Sequence, residues 1–370
     1  MMKPAEPRRA PHLSPERAAG GLAEPAQGEM LLTPERRSEL VGWYRKMVLI
    51  RHFEEAAAVA YTRARIGGYL HLNIGEEATV VGSMAALKPH DFVYSNYREH
   101  GHALVRGTPA TLVMAELYGK ETGISKGRGG SMHLFDLKKR LMGGYGIVGG
   151  AIPLAVGAAL AQQYQSTDAV VMTIFGEGAT NIGAFNESMN LAALWNLPVV
   201  FFCQNNQFAM GKRVNEDSAV PEIWRKACAY DMAAERVDGM DLLAVYAATV
   251  RAVDRARFEL RPTLIESVTY RFRGHSMADA GKYRTAEEVD EWRRRDPILN
   301  FRDRLERAGL LTSQQADEIE ASIEKEIEEA VQFADESPFP ALSSLYDDVY
   351  CEPGEEQHAR DLFGQEGNGG

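Results

Sequence analysis

Two short apolar runs flanking one amphipathic segment constrain this chain more than anything else in its sequence. Residues 169–175, Ala-Val-Val-Met-Thr-Ile-Phe, are rich in β-branched side chains and stop at Gly176, which predicts a buried strand. From Asn181 to Trp195, Ile182, Phe185, Met189 and Ala193 recur at three- and four-residue spacing, so a helix there has one apolar face to lay on a sheet. Leu197-Pro198 stops that helix, and Val199-Val200-Phe201-Phe202-Cys203 reads as a second buried strand. Strand, crossover helix and strand in this length form a parallel βαβ unit, which is right-handed in nearly all cases.

That unit brings the loops after its two strands to one edge of the sheet. Glu177, within Gly176-Glu177-Gly178, and Asn206, within Asn205-Asn206, therefore meet at the carboxyl ends of neighbouring strands, where open α/β sheets bind ligands. A carboxylate and an amide oxygen suit a hard cation. Magnesium takes octahedral oxygen coordination and shares it readily with phosphate, so two side chains, a backbone carbonyl and a diphosphate would complete its shell. Gly178 lets backbone N–H groups approach that phosphate at a helix start.

The rest of the chain continues the alternation. Thr33-Pro34 starts a long helix whose stripe of Leu40, Tyr44, Met47 and Val48 runs towards Gly67-Gly68. Gly75-Glu76-Glu77 precedes a helix to Leu87, and residues 91–95 form a strand that ends at Asn96-Tyr97-Arg98-Glu99-His100-Gly101. Taken by themselves, His71 and Arg98 read as ordinary surface or capping residues, although Arg98 at a strand end equally suits a bidentate phosphate contact. Residues 233–237 and 263–270 are further strands, joined by a helix that Asp241 caps and that reaches about Glu259. Thr312 and Gln315 form a capping-box pattern ahead of the Ile319, Ile323, Ile327 and Val331 stripe. The expected fold is α/β, a doubly wound, mostly parallel sheet flanked by helices.

Gly144, Gly146 and Gly149 match a GxGxxG spacing, but Asp136 to Arg140 before them is charged rather than strand-like, which argues against a dinucleotide site. Close approach of the backbone to a planar ligand ring or to another subunit is the preferred account. The loop 271–284 holds Arg271, Arg273, Lys282 and Arg284 against Asp279, a net charge of +3 around His275. It reads either as a solvated loop or as a lid over a dianion.

A net charge of −11 argues against a nucleic-acid partner engaged through the overall field, and no apolar run approaches the length of a membrane helix. Cys203, Cys228 and Cys351 are odd in number without metal or redox spacing, which favours a reduced compartment and no catalytic thiol. Residues 1–30 are rich in Pro, Ala, Arg and Glu and are expected to be a disordered extension; its acids argue against an organelle transit peptide, which points to a cytoplasmic protein of bacterial type. One domain is expected over 31–350, with a disordered acidic tail over 351–370.

Gly176-Glu177-Gly178, 26 intervening residues and Asn205-Asn206 resemble the thiamine diphosphate fingerprint. Gly-Gly-Ser-Met-His (129–133), Gly-Ile-Val-Gly (146–149), Asn-Tyr-Arg-Glu-His-Gly (96–101), Asn-Leu-Ala-Ala-Leu-Trp-Asn-Leu-Pro (190–198) and Arg-Gly-His-Ser (273–276) extend the likeness to most of the chain. From about residue 33 to 350 the sequence is similar to the α subunits of the two-subunit, thiamine-dependent 2-oxo acid dehydrogenase E1 components. The resemblance implies that Glu177, Asn206 and the carbonyl of Phe208 hold Mg2+. It also implies that Arg98, Gly178, Ala179, Asn206 and His275 meet the diphosphate, and that Tyr97, Gly146 and Val148 line the thiamine site. The reaction it implies is decarboxylation of a 2-oxo acid by the thiazolium carbon, with acyl transfer to the lipoyl group of an E2 acyltransferase. His71 and His275 are then the proton-handling candidates.

In that family the glutamate that activates the cofactor belongs to an E1 β subunit, so the resemblance implies a shared site and a heterotetramer of two α and two β subunits. Ala-Ala-Leu-Trp-Asn-Leu-Pro and Phe-Ala-Met-Gly favour pyruvate over branched-chain 2-oxo acids and acetoin. A cofactor-free scaffold subunit is the reading from a different class. Two departures stand out. Ser276 matches the first phosphorylation site of animal members, but Arg213 replaces another and the loop is one residue shorter at Lys282-Tyr283, which puts kinase control in doubt; Glu177 replaces the commoner Asp.

Overall fold

The computed structural model describes residues 30–347; the expected N-terminal extension, Met30 excepted, and the expected tail lie outside them, as does Cys351. In chain order the elements are α1 (Arg37–Thr62), α2 (Glu77–Ala85), β1 (Phe92–Asn96), α3 (His100–Arg106), α4 (Ala110–Leu117), β2 (Leu141–Tyr145) and α5 (Ala151–Gln165). There follow β3 (Val171–Gly176), α6 (Gly183–Trp195), β4 (Val199–Asn205), a hairpin of β5 (Phe208–Ala209) and β6 (Lys212–Arg213), and α7 (Val214–Asp217). The chain continues through β7 (Ala233–Asp238), α8 (Leu242–Glu259), β8 (Thr263–Val268), α9 (Ala286–Arg293), α10 (Pro297–Arg307) and α11 (Ser313–Glu336).

Six strands pair in the order β2-β1-β3-β4-β8-β7, and every pairing is parallel. Parallel strands need crossovers, and the helices that supply them cover both faces, so both faces of each central strand are apolar. In β3, Met172 and Ile174 join a core beneath α1, α2 and α8, while Val171 and Phe175 join a second core beneath α5 and α6. In β4 the same alternation sends Val200 and Phe202 one way and Phe201 and Cys203 the other. Truncating a fully buried ring such as Phe201 to alanine would cost about 3–5 kcal/mol.

The caps agree with the sequence where short-range chemistry decides them. Asp241 accepts from Leu243 N and Ala244 N at the start of α8, and Thr312 with Gln315 closes the capping box of α11. Ile323 and Ile327 of α11 are buried against the core that α1 and α4 share. At the other end of α6, Asn196 takes the left-handed conformation (φ 55°) and ends the helix before Pro198.

Two expectations need refinement. Asp136 to Arg140 is not a strand, as expected, since Leu137–Lys139 is a single 3-10 turn, but a strand does run into the pattern: β2 carries Gly143 and Gly144 themselves. Nor do the glycines there face a ligand or another subunit at every position. A side chain at Gly144 would overlap the Glu99 carboxylate, and one at Gly143 (φ 106°) the Phe135 ring. Those glycines admit groups of this chain.

Candidate active site at the carboxyl edge of the sheet

Register places the site. Phe175 pairs with Cys203 and Gly176 with Gln204, so β3 and β4 end level, and Glu177 and Asn206 leave the sheet side by side. Strand order reverses between β1 and β3, and beyond that switch point lies a cavity of about 240 Å3. Its walls come from the loops after five strands: Tyr97 and Arg98 follow β1, Val148 follows β2, Glu177, Gly178 and Ala179 follow β3, Asn206 and Phe208 follow β4, and Arg271 and His275 follow β8. Gly178 is required because a Cβ there would lie 2.7 Å from the Cβ of Ala209 in the hairpin.

Glu177 is 3% exposed, and its Oε1 has no hydrogen-bond partner among the described residues. Burial raises its carboxyl to about 7, against the opposing pull of nearby backbone N–H groups and of Arg271. Asn206 is also buried. Its Nδ2 donates to Glu76 Oε1 at 2.8 Å, which leaves Oδ1 to accept from Arg271 Nη1 at 3.3 Å. The Phe208 carbonyl accepts from the same Nη1 at 3.4 Å. Asn205 points elsewhere, donating to Glu266 Oε1 at 2.7 Å and accepting from Gln207 N, so the two asparagines divide the work of holding the turn and facing the cavity.

Among the described residues no group of three or more His, Cys, Asp or Glu side chains is placed to hold a metal. A cation here would depend on one carboxylate with an amide and a carbonyl oxygen, a hard donor set that fits magnesium better than a softer metal. The orphaned Glu177 oxygen supports that fit.

His71 and Arg98 are not surface residues; they are 5% and 4% exposed. Arg98 donates to Leu72 O at 2.6 Å and His275 O at 2.9 Å, and its Nε lies 3.7 Å from Glu76 Oε2. It therefore ties residues 70–72 to the segment after β8. The His71 ring lies 4.5 Å from Tyr97 and 5.0 Å from His275, centre to centre. Burial first, and then the charge of Arg98, lower His71 to about 2 and His275 to about 4. Both imidazoles are neutral at pH 7 and able to accept a hydrogen bond, and Nδ1 of each is buried without a partner among the described residues.

Of the residues expected at the site, Tyr97, Arg98, Val148, Glu177, Gly178, Ala179, Asn206, Phe208 and His275 line the cavity. His71 packs against two of them from outside its lining, and Gly146 is not in the lining. The loop 271–284 is neither simply solvated nor uniformly basic towards solvent. Arg271 is 1% exposed, and Arg284 donates to the carbonyls of Arg271, Phe272 and Arg273, while Arg273 and Lys282 are exposed. Arg213 forms an ion pair with Glu288 of α9. Sequence reasoning missed Glu76, and it counted Arg271 only as loop charge. Glu76 reaches the cavity from the start of α2, a contact that no local pattern announces.

A model of the family described as "Dehydrogenase E1 component" matches residues 45–343. The chain belongs to the dehydrogenase E1 component family. It is 44% identical over 307 residues to the pyruvate dehydrogenase E1 component subunit alpha of Rhizobium meliloti (strain 1021), covering 83% of this chain and 88% of that protein. It is 42% identical over 316 residues to the protein of the same name from Porphyra purpurea, covering 84% and 92%. With that of Rickettsia felis it shares 38% identity over 315 residues, covering 85% and 97%. The likeness to E1 component α subunits thus spans the sheet, the cavity and the segment 271–284.

Proposed function

We propose that this chain is the α subunit of a pyruvate-oxidising E1 component, binding thiamine diphosphate through Mg2+ and completing its active site with a β subunit. The observation that carries the reading is the convergence of Glu177, with its partnerless oxygen, Asn206 Oδ1 and the Phe208 carbonyl on one cavity at the switch point of the sheet. These three would hold the metal. Backbone at Gly178 and Ala179, with the Arg98 guanidinium, would meet the diphosphate, and Tyr97 and Val148 would border the thiamine rings. When bound, the cofactor supplies the electron sink that decarboxylation of a 2-oxo acid needs.

The chain's own contribution is position and charge. His71 and His275, neutral and desolvated, are suited to accept or donate a hydrogen bond beside the cavity, and the dianionic diphosphate would raise their affinity for a proton. Arg98 orders the segments that carry both rings. Exposed apolar side chains favour a partner: Leu154 and Tyr164 on α5, Leu194 and Trp195 on α6, and Ile147 beside the cavity-lining Val148. A lipoylated E2 would receive the acyl group. Co-expression with the β subunit and assay against pyruvate, 2-oxoisovalerate and acetoin tests the reading. Turnover greatest with pyruvate supports it, preference for either rival reassigns the substrate, and no binding of thiamine diphosphate with magnesium by the complex favours a scaffold.

A further inference from the structure

We infer that Glu76 is a positioning residue for the metal site: it fixes which end of the Asn206 amide faces the cavity. The inference rests on the reading of Asn206 as a metal ligand. The two ends of an asparagine amide have almost the same shape, so hydrogen bonding decides its orientation. A carboxylate only accepts, and Glu76 Oε1 accepts from Asn206 Nδ2 at 2.8 Å. That bond leaves Oδ1, the atom a cation requires, directed to the site. Without it only the longer contact from Arg271 Nη1, 3.3 Å from Oδ1, opposes a turn of the amide that would present N–H groups to the metal.

Glu76 is itself braced by buried polar groups from distant parts of the chain. Its Oε2 accepts from Asn73 Nδ2 at 3.0 Å, with the Arg98 Nε 3.7 Å away. The backbone N–H of Asn73 donates to Glu54 Oε1 at 3.0 Å, and Glu54 lies 2.9 Å from His100 Nδ1. His100 Nε2 then meets Ser131 Oγ at 2.9 Å. Glu54, Asn73, Glu76 and His100 are all fully buried, and in so dry a setting each bond restrains its neighbour strongly. The far end of the series is fixed as well, because the Glu116 carboxylate accepts from the backbone N–H groups of Ser125, Gly127, Gly129 and Gly130 just before Ser131. A rigid path therefore runs from the glycine-rich segment to the metal-binding amide, and Glu76 is its last member.

The test measures Mn2+ binding by electron paramagnetic resonance in the full chain co-expressed with its β partner, with thiamine diphosphate present. Glu76→Ala is expected to weaken Mn2+ binding by about tenfold to a hundredfold, the range typical when a group that orients a ligand is removed. Glu76→Gln is expected to bind between that variant and the unsubstituted protein, since its single Oε1 is contested by Asn206 Nδ2 and Asn73 Nδ2. A second pair removes dependence on how well Glu76→Ala folds. Asn206→Asp alone sets two carboxylates against each other and weakens binding, whereas in the Glu76→Gln background Nε2 donates to Asp and recovers about tenfold. Normal binding in Glu76→Ala together with loss in Asn206→Ala overturns the inference, as does equal binding of Asn206→Asp in both backgrounds. Normal binding in Asn206→Ala instead overturns the assignment of the metal ligand itself.

Discussion

The guanidinium of Arg271 lies 3.3 Å from Asn206 Oδ1, donating a hydrogen bond to the amide oxygen assigned to a metal ion. The same nitrogen reaches the carbonyl of Phe208, so a fixed positive charge faces two of the three oxygen groups at this edge of the sheet. The remaining N–H groups of Arg271 donate to Met210 O, Tyr283 Oη and Arg273 O. One side chain thus joins the turn after β4 to the segment after β8.

Loss of Arg271 should therefore loosen residues 273–284. Hydrogen bonds from a charged group contribute roughly 1.5–3 kcal/mol, so Arg271→Ala should speed tryptic cleavage at the exposed Arg273 and Lys282 by on the order of tenfold or more. Thiamine diphosphate with magnesium should slow the same cleavage in the complex with the β subunit. Cleavage that responds to neither change would show that the loop is independent of the site.

Glu177 should be an expensive residue for the free protein. Its carboxyl is raised to about 7 in the folded chain, against an ordinary value near 4.5, so folding binds a proton between those limits and stability falls as pH rises through them. Above pH 7 the full penalty applies. Glu177→Gln should then be more stable than the unsubstituted chain by about 1–3 kcal/mol at pH 8 in denaturant unfolding, while Glu177→Ala and Asn206→Ala lose magnesium-dependent cofactor binding. Retention of that binding in either alanine variant would remove the site assignment.

His102 gives the opposite pH dependence. It is fully buried beside Ser95, and burial lowers it to about 3. The unfolded chain takes up this proton near pH 6.5 and the folded chain does not, so stability is lost as pH falls below 6.5. Relative to a His102→Gln variant, the unsubstituted chain should lose about 2 kcal/mol between pH 8 and pH 5. Parallel pH profiles for the two proteins would contradict the burial argument.

The chain without its partner should bind the cofactor weakly and lack 2-oxo acid decarboxylase activity, because the residues assigned to proton handling here are neutral imidazoles and the activating carboxylate is assigned to the β subunit. Leu154, Tyr164 and Trp195 should be protected from surface labelling only after the β subunit is added. Turnover by the isolated chain would refute the shared-site assignment.

The sequence by itself determined the parts of this protein that depend on local periodicity. Short apolar runs at 169–175 and 199–203, the first rich in β-branched residues, specified two buried parallel strands, and the βαβ rule then placed Glu177 beside Asn206 before any contact was known. Capping chemistry did the same at Asp241 and Thr312, since those bonds close within a few residues. Tertiary structure alone decided what surrounds that pair. His71 and Arg98 lie in segments without a strong period, and they are buried because Tyr97, His275 and the carbonyl of Leu72 close over them. Glu76 gains its role only when α2 packs its first turn against the end of β4, 130 residues away in the chain. Arg271 faces inward because its fork finds five acceptors there, a geometry that net charge along a loop does not encode. Hydrogen bonds between buried groups depend on distances of a few ångströms across the fold, and linear spacing carries no record of them.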